Sequence, residues 1–179
     1  MPDPEGRLYL FEALALRDEY DQRIALLEKL LNPDSDRRSA LRFSASSDSE
    51  ELRPVAGFEP EAMETELKKL KTRRVKLNQE IQIANFRSTI HFDGEDISLA
   101  QALEVRKGLL AERNEQLARV VDAAYQRVIH KEERDVIKEP TRLFKRTYDD
   151  YLGLLRRLRA LVTAVRQTNH TVTVAFRDE

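Results

Sequence analysis

Leu10, Ala13, Arg17, Tyr20, Ile24, Leu27 and Leu31 recur at alternate spacings of three and four. That rhythm places them on one face of a helix packed as in a coiled coil. Leu14, Leu16, Leu26 and Leu30 widen the stripe, which suits a bundle better than a narrow two-strand seam. The first helix therefore covers about Leu10 to Leu31 and stops at Asn32-Pro33, because proline cannot continue it. A second helix starts near Pro60 and carries Met63, Leu67, Leu70, Arg74, Leu77, Ile81 and Ala84 on its apolar face, ending near Asn85. Thr89-Ile90-His91-Phe92 then reads as extended, and Asp93-Gly94 as a tight hairpin turn into a short return strand, Glu95 to Ile97. Ser98 with Gln101 three residues on is a capping box for a third helix. Its expected buried face is Leu99, Leu103, Leu110, Leu117, Val121, Ala124 and Val128. Between His130 and Pro140 the pattern lapses and a turn or break is expected. A fourth helix over about Thr141 to Gln167 presents Phe144, Tyr148, Tyr151, Leu155, Leu158, Val162 and Val165, and Thr171 to Phe176 closes the chain as a strand.

The halves resemble each other. Ala13-Leu14-Ala15-Leu16-Arg17 matches Ala102-Leu103-Glu104-Val105-Arg106. Asn85 followed by Thr89-Ile90-His91-Phe92 matches Asn169 followed by Thr173-Val174-Ala175-Phe176, and Leu70, Leu77 and Ile81 map onto Leu154, Leu161 and Val165. Pseudo-repeats over 7–92 and 95–177 imply a mainly α fold within a single helical domain, 1–179. It is an antiparallel four-helix, coiled-coil-like bundle of two helical hairpins with a small β-sheet at one end. The stretch 33–59, rich in Ser and Asp, reads as a flexible polar insertion.

Composition supports long, solvated helices: 35% of residues are charged, with 5 Gly and no Trp among 179 residues. The absence of Cys excludes disulfides, thiolate catalysis and Cys-ligated zinc. A net charge of −1 excludes a globally basic nucleic-acid binder. The acidic start, Met1 to Gly6, does not resemble a secretory signal, and no apolar run approaches the ~18 residues of a membrane span. A cytoplasmic location is expected.

The two Ala-Leu-x-x-Arg openings, at Ala13 and Ala102, and the central Asn85 with Asp93-Gly94 resemble the septicolysin-like family of small bacterial proteins. The resemblance extends to Asn169; most of the second and fourth helices match only as heptad pattern, and segment 33–59 is longer than the family pattern. The family name implies a haemolysin, and the resemblance transfers no catalytic residue.

Arg17 and Arg106 fall at matching places on apolar faces. Each could take an anion in bidentate fashion, but the commoner role is to pair with a carboxylate on a neighbouring helix and set register; a partner acid is expected either way. Arg74 interrupts the second helix and could join such a network. Asn85 and Asn169, where helix hands over to strand, are expected to cap helix ends in left-handed geometry. His130 does not open a His-Glu-x-x-His zinc pattern, and strand alternation should part His91 from Asp93 and Asp96. No Gly-rich phosphate loop, nucleophile elbow or Glu-x-x-His motif occurs, so no cofactor, metal or catalytic residue is assigned. A basic surface could form from Lys68, Lys69, Lys71, Arg73 and Lys76 on the second helix and Arg156, Arg157 and Arg159 on the fourth. Three readings follow. The first is a non-enzymatic structural or interaction protein, self-associating as a homo-oligomer through helical faces or meeting a protein partner. A membrane-active, haemolysin-like protein is the alternative, without a spanning segment to support it. A nucleic-acid-binding bundle is the further, less favoured one.

Overall fold

The computed structural model describes residues 7–32, 54–132 and 134–178; the polar stretch expected over 33–59 lies mostly outside them. The chain is mainly helical: four helices pack as two hairpins, accompanied by short two-stranded sheets. It divides into two compact units, Met1–Ala84 with Thr173–Glu179, and Asn85–Val172.

The first unit begins with β1 (Leu8–Tyr9), which runs directly into α1 (Leu10–Leu31). Tyr9 has no short polar side chain to cap the helix. Instead its own N–H donates to the Glu12 carboxylate at 2.8 Å, one half of a capping box. The hairpin is completed by α2 (Pro60–Arg87). Leu10, Ala13, Tyr20 and Leu27 face Leu70, Leu77, Ile81 and Ala84 as its core, and all eight are buried. Burial of each large side chain is worth roughly 1.5–3 kcal/mol, so this seam is the main source of the hairpin's stability. Cross-helix pairs rim it: Arg74 with Asp21 at 2.9 Å, Lys71 with Glu28 at 2.7 Å and Arg23 with Glu66 at 2.8 Å. The strand at the chain's C-terminal end, which we number β6 (Thr173–Val174), lies antiparallel to β1, with Leu8 opposite Val174. Val174 and Phe176 are buried.

The second unit repeats this plan. β2 (Thr89–Phe92) and β3 (Glu95–Ser98) pair antiparallel around Asp93 and Gly94, whose φ angles of 52° and 87° make the turn. Ser98 caps α3 (Leu99–Ala124): Gln101 N–H donates to Ser98 Oγ at 3.2 Å and Ser98 N–H donates to Gln101 Oε1 at 2.9 Å. After α3 comes a β-ribbon, β4 (Arg127–Ile129) and β5 (Val136–Lys138), then α4 (Phe144–Thr171). α4 packs along α3 and against β2.

Four details depart from the sequence expectation. The strands form three separate ladders rather than one shared sheet. The region between His130 and Pro140 holds a β-hairpin, because β-branched Val128-Ile129 and Val136-Ile137 pair across it. The buried face of α3 is Leu99, Ala102, Leu109 and Ala123, while Leu117, Val121 and Val128 are exposed. On α4 it is Thr147, Leu154, Leu161 and Val165, with Phe144 and Tyr148 exposed. Leu99 and Val165 are buried as expected, and the other buried positions of both faces sit one residue before the expected rows. The observed α3 seam continues through the half-buried Arg106, Arg113 and Gln116, so counting hydrophobic letters selects the neighbouring row.

Candidate functional site

The residues singled out from sequence are scattered. Arg74 bridges to Asp21 on α1, and that hydrogen bond and charge raise its pKa above the ordinary value. Arg17 pairs with its neighbour Asp18 at 3.0 Å rather than with another helix. Arg106 has no carboxylate partner among the described residues, and its Nε is buried without a hydrogen bond. The reason lies in the repeat: Lys107 stands where Asp18 follows Arg17, and Lys107 itself turns to Glu104 at 2.6 Å. Asn85 is buried and Asn169 partly so, but both lie inside their helices, which continue to Arg87 and Thr171. Among the described residues Asp93 is the one non-glycine with positive φ, so neither Asn is a left-handed cap.

Lys68, Lys69, Lys71, Arg73 and Lys76 are exposed, as are Arg156, Arg157 and Arg159. Acids interrupt both stripes. Lys71 reaches Glu28, and Arg73 reaches Asp178 at 3.8 Å. Arg157 pairs with Asp93 at 2.6 Å and lies over the Phe92 ring. His91 and Asp96 are brought together at 2.8 Å, contrary to the alternation argument, because they are cross-strand partners and so share a face. His130 and Asp135 meet likewise across the ribbon at 2.9 Å. No cluster of three or more His, Asp or Glu side chains suited to a metal occurs among the described residues.

One tyrosine of the first unit has a marked electrostatic environment. Tyr20 is fully buried in the seam, and its hydroxyl donates to Asp178. Burial, then the hydrogen bond and charge of Asp178, push its pKa up to about 12.

A concave surface lies in the second unit, where α3 ends, the ribbon leaves and α4 begins. Tyr125 turns extended and ends α3. Pro140 and the extended Leu143 delay α4 until Phe144. Leu143 has no side chain able to cap α4, and the first turn holds no acid. It holds Lys145 and Arg146 instead, which oppose the positive end of the helix dipole by about 0.3–1 kcal/mol each. Two cavities of about 540 and 460 Å³ open here and share Arg119, Thr141 and Arg142. Their walls carry five bases, Arg119, Arg127, Lys138, Arg142 and Arg146, against Asp122, Glu139 and Asp150. Arg127 reaches Asp122 at 3.4 Å and Arg119 reaches Glu115 at 3.5 Å. Glu139 accepts from the Gln126 amide at 2.8 Å. Lys138, Arg142 and Arg146 make no ion pair among the described residues. Sequence reading missed this groove, although a helix opening after Pro140 with bases and no acid inverts the usual charge order.

The chain matches no protein-family profile and no curated protein. It is similar to a solved structure, a functionally unknown conserved protein from Corynebacterium diphtheriae: 22% identity, a TM-score of 0.63, and coverage of 94% of this chain and 99% of that one. At that identity the likeness is one of fold.

Proposed function

We propose that the protein is a non-enzymatic interaction protein that self-associates through helical faces at the ribbon end of its second unit. One observation carries this reading. Of the large hydrophobic side chains exposed among the described residues, most belong to this end: Leu117 and Val121 on α3, Tyr125, Val128, Ile129 and Ile137 at the ribbon, and Leu143, Phe144 and Tyr148 at α4. On each helix the pairs are spaced by four, so they form stripes beside the buried seam rather than isolated residues. Stripes on an antiparallel hairpin tip suit a second copy, because the same patch meets itself about a two-fold axis.

Light scattering on the full chain tests the reading. The expected result is a mass above 20.8 kDa that falls to the monomer when Val121 and Phe144 are both replaced by Ser. A strict monomer across the accessible concentration range would count decisively against it. No helix of the described residues is long and apolar enough to cross a membrane, and the basic stripes that would track a nucleic acid are interrupted by Glu28, Asp178 and Asp93.

A further inference from the structure

We infer that the groove between the end of α3 and the start of α4 binds a small ligand carrying more than one phosphoryl group. Three observations converge there. First, Lys138, Arg142 and Arg146 line the cavities without a carboxylate partner among the described residues, unlike the Arg74, Lys71 and Arg157 pairs elsewhere. Unneutralised cations lining adjoining concavities concentrate positive potential, and the two guanidinium forks among them, Arg142 and Arg146, suit multi-oxygen anions. Second, the two cavities adjoin, with Arg119, Thr141 and Arg142 lining both, so bases of both walls can act on one ligand that carries two phosphoryl groups. Third, α4 opens on this groove with no cap and no acid, leaving first-turn N–H donors beside Arg146.

The size of the space selects among anions. Each cavity has the volume of a small-molecule site. A polymeric nucleic acid would need a continuing basic track, and the neighbouring stripe on α4 is broken where Arg157 is neutralised by Asp93. A phosphoryl group offers three outer oxygens, enough for Arg142, Arg146 and a helix N–H together, whereas a carboxylate offers two. Asp150, in the second cavity, adds a carboxylate that opposes an anion on that side, so the bases shared with the first cavity are the ones that hold it. Tyr125 and Leu143 belong both to the groove lining and to the proposed self-association patch, so particle mass is measured in the same samples, and binding without a change of mass is expected.

The experiment is calorimetric titration of the full chain with inorganic pyrophosphate, at roughly physiological ionic strength of about 0.15 M. Inorganic phosphate, citrate and a short RNA serve as comparisons. Saturable one-to-one binding of pyrophosphate is expected, with phosphate weaker. Replacing Arg142 and Arg146 together by Gln should weaken it by roughly tenfold or more, while the exposed pair Arg156→Gln and Arg159→Gln on α4 leaves it unchanged. Backbone amide shifts confined to 142–147 on titration would place the ligand independently of any variant. Absence of saturable binding would overturn the inference. So would equal weakening by the two double variants, which would mean diffuse attraction. Citrate binding as tightly as pyrophosphate, or RNA displacing it, would overturn the phosphoryl or the small-ligand assignment respectively.

Discussion

At the scale of the residue, two polar side chains in the seams are held in opposite ways. Tyr20 is buried and bonded to Asp178, and its pKa of about 12 lies above the usual tyrosine value of 10. The folded chain keeps this proton where an unfolded chain releases it. The resulting stability is complete below about pH 10 and is lost as pH rises towards 12. Tyr20→Phe should cost about 1 kcal/mol at neutral pH and reduce the alkaline fall in melting temperature. Identical alkaline slopes for the variant and the parent would contradict this assignment. Arg106 is the converse, a seam cation whose Nε has lost its hydrogen bond. Arg106→Met removes that buried donor and should raise the urea midpoint, by about 1 kcal/mol in stability. Arg74→Met removes a cross-helix pair at a largely exposed rim and should lower stability by less than about 1 kcal/mol. If both variants shift in the same direction, the difference between the two arginines is not electrostatic.

At the scale of the element, the Asp-Gly turn and the Ser98 capping box were plain in the sequence because they are local, whereas Asn85 and Asn169, expected as caps, lie inside their helices. Asp93-Gly94 needs two left-handed residues in succession, and Ser98 with Gln101 can close a capping box without help from elsewhere. Gly94 has open space around the position of a side chain, so Gly94→Ala should fail through backbone strain alone, at about 1–2 kcal/mol. Gly108, helical and equally unobstructed, should respond in the opposite sense, gaining about 0.5–1 kcal/mol as Ala. Thermal melts of the two variants check the pair. The registers of α3 and α4 were harder to read. Leu103 and Leu110 form as regular a row as Ala102 and Leu109, and which row is buried is decided by packing against α4 rather than by hydrophobicity. The repeat held the answer: adding the spacing from Ala13 to Ala102 to the α1 seam lands on the observed α3 seam.

At the scale of the whole molecule, the sequence repeat and the compact units do not coincide. The helices α1 and α2 are completed by β6 from the far end of the chain, and α3 and α4 by β2 from its middle. Equivalent arginines mark the exchange: Arg73 on α2 reaches Asp178 beyond β6, and Arg157 on α4 reaches Asp93 beyond β2. Ending the chain at Val172 therefore removes Val174, Phe176 and Asp178 from the first unit. Hydrogen exchange should accelerate in α1 and α2 and remain nearly unchanged in α3 and α4. Uniform acceleration throughout would show that the two units unfold as one. Helix positions, the Asp-Gly hairpin and the doubled design were determined by sequence alone, since each rests on spacing or on the backbone preference of a few adjacent residues. Which half's strand completes each hairpin, which row of α3 is buried, and the meeting of Arg119 with Lys138, Arg142 and Arg146 in one groove were decided only by tertiary structure. Those outcomes depend on contacts between residues far apart in the chain, and no local preference encodes which distant partner is met.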